Sequence, residues 1–308
     1  MTLRVTFLGT SAAIPTTTRN PSGIFVNREG DQYLFDVGEG TQRQMMRYGT
    51  GFGVQAVFLT HLHGDHVLGL PGLLQTWDFT DRDEPITIYT PRGTGGRLRR
   101  FLTALEKRPA YGMSIIEVDP GETLINREEY EIRTFATDHR APTVGYLLVE
   151  RDRPGRFDRE RAEELGVPVG PKFSRLHGGD PVELEDGTIV EPKQVVGPPR
   201  PGRRLVYTGD TRPTDTVVKA ARDADLLIHD ATFTDERADR AQKTAHATAR
   251  EAGEIAAQAD AKRLALTHIS SRYTGDHPGH VQEAEEVFEG TVVLAMDGRE
   301  IDIPYPDG

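Results

Sequence analysis

Short runs rich in apolar and β-branched residues, each bounded by Gly, Pro, Asp or Asn, fill the first half of the chain. Runs of that kind with turn residues at both ends read as strands. They predict strands over 3–8, 23–26, 32–36, 56–60, 86–89, 114–118, 130–136 and 144–149. Apolar positions at three- and four-residue intervals, the spacing of one helix face, predict helices over 41–48, 68–77 and 94–105. The second half resumes with strands over 204–208, 226–229 and 263–267 and helices over 214–224, 245–259 and 281–288. Strands over 291–295 and 300–303 close the chain. In each half strands come before helices, with polar turns between. That order predicts an α/β architecture of two mixed sheets sandwiched by outer helices.

The segment 151–203 departs from this pattern. It is rich in Gly, Pro and charge, with arginines such as Arg151, Arg153, Arg156, Arg159 and Arg161, and its only apolar periodicity lies at 182–184 and 188–190. About 50 residues without a core of their own exceed an ordinary connection, and loops of that length are functional or disordered. The segment is expected to be a protruding arm inserted in one domain spanning 1–308. A small echo links the two halves, because Leu59-Thr60-His61 and Leu266-Thr267-His268 each end an apolar run on a histidine. It fits two related halves meeting at one site, and it also fits coincidence.

Composition narrows the chemistry. There is no Cys, so disulfides, thiolate metal sites and thiol nucleophiles are excluded together, and any metal must be held by His, Asp or Glu. The 10 His become the residues to place. The net charge of −11 argues against a polyanionic partner at first sight. Lys is scarce and Arg carries most of the positive charge. An acidic, Lys-poor surface suits a proteome kept soluble in concentrated salt, so a halophilic source is one reading and an ordinary acidic cytosolic enzyme the other. No segment approaches the ~18 consecutive apolar residues of a membrane span. The first nine residues read as a strand entering a glycine turn rather than a signal peptide, which makes a cytoplasmic location the default.

The strongest chemical signal is Phe58-Leu59-Thr60-His61-Leu62-His63-Gly64-Asp65-His66. It sets four metal-ligand types within six positions directly after an apolar strand. A continuing strand would point them to two faces, whereas a tight loop at Gly64 can gather them at adjacent ions. A lone histidine is usually a satisfied polar group; four such donors in this order are not.

His61-x-His63-x-Asp65-His66 is similar to the signature of the metallo-β-lactamase superfamily. That resemblance implies an αββα sandwich and three further ligands downstream. His139 in Thr137-Asp138-His139, Asp210 in Thr208-Gly209-Asp210-Thr211 and His268 after Leu264–Thr267 stand in the right contexts. Within the superfamily the chain resembles the ribonuclease Z family over almost its whole length. The resemblance is carried by Phe7-Leu8-Gly9-Thr10, Arg19-Asn20, Phe35-Asp36-Val37-Gly38-Glu39-Gly40, Gly69-Leu70-Pro71-Gly72 and Ile269-Ser270-Ser271-Arg272-Tyr273. Most diagnostic are His246-Ala247-Thr248, like that family's His-x-Thr motif, and Gly170-Pro171, like the Gly-Pro motif of its tRNA-clamping arm. Two departures are visible. His229-Asp230-Ala231-Thr232 stands where the family often has His-Glu-Ala-Thr, and Thr17 stands where Lys is common.

The resemblance implies a zinc-dependent endoribonuclease that removes the 3′ trailer of precursor tRNA and leaves a 3′-hydroxyl, with a metal-bridged hydroxide attacking the scissile phosphate. His61, His63 and His139 would hold one zinc, Asp65, His66 and His268 a second, and Asp210 would bridge. Two ions ~3.5–4 Å apart lower the pKa of a shared water toward ~7 and clamp a phosphate in line. Asp65 would also act as general base. His246, oriented by Asp230, would protonate the departing oxygen. Gly170, Pro171, Arg19, Asn20 and Arg272 would bind substrate. A homodimer is implied, in which the arm of one subunit serves the other. Asp36 either supports a ligand histidine or closes the turn at Gly38. His177, His229, His277 and His280 are read as surface or satisfied histidines, Gly178-Gly179 as a turn, and Trp77 as buried rather than stacking a base with Phe79. The competing enzyme is a general zinc phosphodiesterase or arylsulfatase-like hydrolase of the same fold. A non-catalytic zinc-stabilised RNA-binding protein would need Asp65 and His246 to be lost.

Overall fold

A computed structural model describes residues 2–104, 109–273 and 278–306. Among these, contacts divide the chain into two compact units. The larger comprises the described parts of Met1–Arg127, Glu131–Val149 and Arg204–Pro304. The smaller comprises the described parts of Glu128–Tyr130, Glu150–Arg203 and Tyr305–Gly308.

The larger unit is built on two seven-stranded sheets. One runs in the order Glu300–Asp302, Leu3–Gly9, Gly23–Arg28, Asp31–Phe35, Ala56–Phe58, Ile86–Pro91 and Met113–Val118. The other runs Thr291–Leu294, Arg263–Thr267, Leu226–Asp230, Arg204–Tyr207, Val144–Glu150, Tyr130–Ala136 and Thr123–Asn126. Both are mixed: hairpins pair antiparallel, as at Val5↔Val26, while crossover strands pair parallel, as at Phe35↔Phe58 and His229↔Leu266. Aromatic side chains join the facing surfaces. Phe35 and Phe58 stack at 4.9 Å, and Phe58 meets Tyr146 of the second sheet at 5.3 Å. Helices cover each outer face. Leu70–Phe79 buries Leu70, Leu73, Leu74 and Trp77 against the first sheet. Ala249–Gln258 buries Ala249, Ala252, Ile255 and Ala256 against the second. The layers are therefore αββα, as the strand and helix order predicts.

Several elements differ from expectation, each for a local reason. The strand expected over 56–60 ends at Phe58, because the Thr60 N–H is given to the Asp36 side chain at 2.8 Å instead of a neighbouring strand. Gly64 opens a short helix, Gly64–Val67, rather than a tight loop. The helix expected over 245–259 starts late, at Ala249, and an unexpected helix precedes it. Ala238–Thr244 stops at Ala245, which takes a left-handed φ of 58°, and Ala249–Gln258 starts afresh on a capping box between Thr248 and Glu251. Thr123–Asn126 is a strand with too few apolar residues to be noticed. The helix expected over 281–288 is Pro278–Glu285, which takes in the buried His280. Leu105 and His277 fall outside the described residues.

The smaller unit corrects a stronger expectation, since 151–203 has its own core. Helices Arg159–Glu164 and Pro171–His177 and the hairpin Val182–Glu183 with Ile189–Val190 bury Ala162, Val167, Leu176, Val182, Val190 and Val195. These residues come singly from different elements, so beyond 182–184 and 188–190 no window of sequence shows a period. Tyr305 stacks under the Arg153 and Arg203 guanidinium groups, at 3.4 and 4.0 Å from its ring centre, and Arg203 forms a buried ion pair with Glu150 at 2.7 Å.

Candidate functional site

The loops that follow strands of the two sheets meet in the larger unit and bring seven donors together. His61, His63, His139 and Asp210 can place ligand atoms within 4.8 Å of one another, as can Asp65, His66, Asp210 and His268. Backbone geometry makes this convergence possible. Gly209, at φ 60°, lets the Asp210 loop press on Thr60, where a Cβ would lie 2.6 Å from the Thr60 side chain. Asp36 and His268 also adopt left-handed φ values, 57° and 61°, which turn their side chains into the site at strand ends.

Hydrogen bonds assign the imidazole tautomers. The Thr60 hydroxyl donates to Asp36 at 2.9 Å, so its contact of 3.0 Å with His61 Nδ1 requires that nitrogen to donate. Likewise the Thr232 hydroxyl donates to Asp230 at 2.6 Å and accepts from His268 Nδ1 at 2.9 Å. His66 Nδ1 donates to Asp36 at 2.8 Å, and His139 Nδ1 to the Ala245 carbonyl at 2.8 Å. Four histidines thus spend Nδ1–H outward and turn Nε2 lone pairs inward. The His61 and His139 lone pairs converge on His63 Nδ1, at 3.0 and 3.2 Å. His66 Nε2 and Asp210 Oδ1 are buried without a hydrogen-bond partner. Converging lone pairs and orphaned buried acceptors are what a cation satisfies.

Charge points the same way. Burial works against a charged His66, yet the carboxylates of Asp210, Asp36 and Asp65 raise it well above the ordinary histidine value, so positive charge is favoured at its Nε2, on a proton or on a cation that replaces it. Burial and the neighbouring His66 hold His61 well below that value. Burial opposes ionisation of Asp210 and Asp65 too, but the surrounding histidines bring both carboxyls well below the usual range. Asp210 has the reach of a bridge: Oδ2 lies 3.5 Å from His61 Nε2, and Oδ1 lies 3.3 Å from both His66 and His268 Nε2. Asp65 Oδ2 lies 3.2 Å from His268 Nε2 and also accepts from the Ala13 N–H at 2.7 Å.

A third group, Asp210, Asp230, His246 and His268, is equally compact. Its donor chemistry suits it less for a metal, because Asp230 is already saturated. It accepts from the Thr232 N–H and hydroxyl, from the Thr211 N–H and from His246 Nδ1 at 2.8 Å. His246 therefore presents Nε2 to an open cleft of ≈ 650 Å³ that His63, Asp65, Asp210, His268 and Arg272 also line. The break at Ala245 is what turns His246 there.

The remaining sequence candidates divide. Asp36 supports His66 and accepts from the Tyr207 hydroxyl at 2.8 Å as well. Arg272 lines the cleft. Arg19 Nη1 donates to the Thr10 hydroxyl and the Ala295 carbonyl, both at 2.6 Å, while Asn20 donates its side-chain amide to the Glu39 carbonyl and its backbone N–H to the Asp297 carboxylate, so both brace loops. Gly170 and Pro171 start the second helix of the smaller unit. His229 is buried at a strand end and donates to the Asp230 carbonyl, His177 bonds Gly155, and Trp77 is buried. Sequence reasoning missed Thr60, Thr232 and Tyr207 as supports and Arg240, Ser270 and Ser271 as cleft residues. The one available signal was a hydroxyl residue directly before His61 and His268, of which only Thr60 makes such a support.

Fold and donor set together define a metallo-β-lactamase-type hydrolase, and the model of the β-lactamase superfamily domain matches residues 32–195 and 193–269. A ribonuclease Z from Natronomonas pharaonis is 61% identical over 307 residues, covering 100% of both chains. That of Haloferax volcanii is 59% identical over 100% of this chain and 97% of its own. The crystal structure of the short form of human tRNase Z shares 30% identity and superposes with a TM-score of 0.70, over 98% of this chain and 99% of its own. The chain belongs to the ribonuclease Z family of the metallo-β-lactamase fold.

Proposed function

We propose that the protein is a zinc-dependent endoribonuclease that removes the 3′ trailer from precursor tRNA and leaves a 3′-hydroxyl. The observation that carries this is the pairing of two compact His/Asp ligand groups with a separate, carboxylate-oriented histidine in one cleft. His61, His63 and His139 would hold one zinc and Asp65, His66 and His268 a second, with Asp210 shared. The thiol-free N/O donor set suits zinc or manganese. When bound, such ions activate water and neutralise phosphate charge.

The chain's own groups supply the rest. Asp65, held ionised by its histidine neighbours, is better suited to orient water by charge and hydrogen bonding than to keep a proton. His246 is the proton donor. Its Nδ1–H is tied to Asp230, so Nε2 carries the proton delivered to the departing ribose 3′-oxygen, and the phosphate stays with the trailer. Burial disfavours the charged ring, but the charge and hydrogen bond of Asp230 raise it to about 9. At neutral pH the donor is therefore loaded. Arg272 would meet substrate phosphates. The smaller unit, with Gly170 and Pro171, would bind the tRNA body, reading shape and backbone. We further assign a homodimer and a cytoplasmic location on the family's pattern; no helix among the described residues is long and apolar enough to cross a membrane.

The test is a precursor tRNA with a 3′ trailer, incubated with chelator-treated protein before and after zinc is restored, beside a small chromogenic phosphodiester. The expected result is a zinc-restored cut at the trailer junction with a 3′-hydroxyl on the tRNA. Turnover of the diester without cleavage of the tRNA would favour the general phosphodiesterase instead.

A further inference from the structure

Three loops of the site are tied together by a residue that no ligand or proton-transfer role requires. Arg212 lies two positions beyond Asp210. Its backbone N–H donates to the Asp138 carbonyl at 2.8 Å, next to His139. Its guanidinium grips Glu251 through two contacts, Nη1 to Oε2 at 2.8 Å and a closer one from Nη2 to Oε1. Nη1 also donates to the backbone carbonyl of His246. The pair is shielded, with the two side chains only 21% and 25% exposed.

We propose that Arg212, held by Glu251, is a positioning residue that fixes the proton donor His246 over the cleft; the proposal rests on the proton-donor reading above. His246 sits in the break between two helices, after the left-handed Ala245, where the helical ladder cannot hold it. Its N–H reaches back to the Ala241 carbonyl at 2.9 Å, and its ring is fixed by Asp230. Arg212 is the group that grips its carbonyl. Glu251 is a fixed anchor, because it also accepts from the Thr248 N–H at 2.9 Å in the capping box that starts the next helix. A planar fork anchored at both carboxylate oxygens holds a third acceptor in one place, which the single point charge of Lys does not do. Small misplacement of a reacting group costs large factors in rate. Arg212 should therefore matter most when the leaving group needs a proton.

The experiment compares leaving groups at saturating substrate. Precursor tRNA departs as an alkoxide and needs protonation; bis(p-nitrophenyl) phosphate releases a stable phenolate and does not. Arg212→Met and Glu251→Gln are measured with His246→Ala on both substrates, after metal content and Tm are checked. Gln keeps the capping box, so Glu251→Gln isolates the ion pair and carries the test even where Arg212→Met does not fold. In both variants kcat on precursor tRNA is expected to fall at least about tenfold more than kcat on the diester, part of the ~10²–10⁴-fold a general acid contributes, and KM to change little. Equal losses on both substrates, with a selective loss in His246→Ala, would overturn the proposal while leaving His246 as donor. An unselective His246→Ala would instead sink the donor reading, and the proposal with it.

Discussion

At position 246 burial and charge pull one imidazole in opposite directions, and charge wins. Burial alone would push His246 below the ordinary value of about 6.5, while Asp230 brings it to about 9. Because the folded value is raised, the stabilisation from this pair is fully present below about 6.5 and is lost as pH rises through about 9. A donor that must be protonated gives kcat the same alkaline limb. Asp230→Asn removes the largest raising influence and leaves the more distant Asp210 alone against burial, so the limb should move to lower pH and kcat on precursor tRNA at pH 8 should drop on the order of 10²-fold. A pH–rate profile of the variant with its limb unmoved would exclude Asp230 as the group that sets the donor. Most of the candidate ligand set was legible in sequence because His61, His63, Asp65 and His66 are neighbours in the chain. Asp36 was ambiguous because its role depends on a His66 ring 30 residues away. The bracing contacts of Arg19 and Asn20 were not legible, because a polar loop residue facing Thr10, Ala295 and Asp297 looks the same in sequence as one facing solvent.

Elements were legible where a run was long and flanked by turns, as at Thr41–Tyr48, Tyr130–Ala136 and Arg263–Thr267, which match expectation residue for residue. They were not legible where a cap overrode periodicity. The alanine-rich stretch after Ala245 has good helical spacing, but Thr248 with Glu251 starts a new helix three residues later. The smaller unit was hidden for another reason: its core residues are spread over 162–195, and no single element contributes more than a few. That core bears directly on a deletion. Replacing 154–201 by a short Gly-Ser loop removes all six of the cluster's buried residues together, Ala162 to Val195, so none of them is left without partners. The ion pair of Arg203 with Glu150 stays, and loop-closure entropy changes only slowly with length. Every proposed ligand and His246 lie outside the deleted stretch. Turnover of the chromogenic diester should therefore persist, while kcat/KM on precursor tRNA should fall by at least about 10²-fold, since remote binding energy places the scissile bond. Normal tRNA processing by the folded, metallated deletion would show that this unit does not bind tRNA.

For the molecule as a whole, the excess of 48 Asp and Glu over 37 Lys and Arg sets a conflict between stability and substrate binding. A net charge of −11 repels itself in the folded state and repels RNA at long range. The proposed site would offset the second effect locally, where cations held by its His/Asp groups and Arg272 meet in one cleft. Salt acts on the two effects with opposite consequences. Raising ionic strength from 0.1 M to 1 M shortens the Debye length from about 10 Å to about 3 Å, which relieves self-repulsion but also weakens any phosphate contact made by counterion release. The acidic composition and the relatives from Natronomonas pharaonis and Haloferax volcanii both point to concentrated salt as the working condition. Tm is accordingly expected to rise from dilute buffer to molar KCl, by about 2–4 °C for each kcal/mol gained. Sucrose at matched osmolality is the control, since it strengthens burial without screening charge; a Tm gain equal in sucrose would mean that charge is not the cause. Over the same range KM for precursor tRNA should climb less steeply than for an enzyme that grips RNA with a broad basic face. The reason is that metal contacts and shape fit, unlike scattered lysines, release few counterions. Precipitation or a falling Tm in molar KCl would show that the acidic surface is not an adaptation to salt.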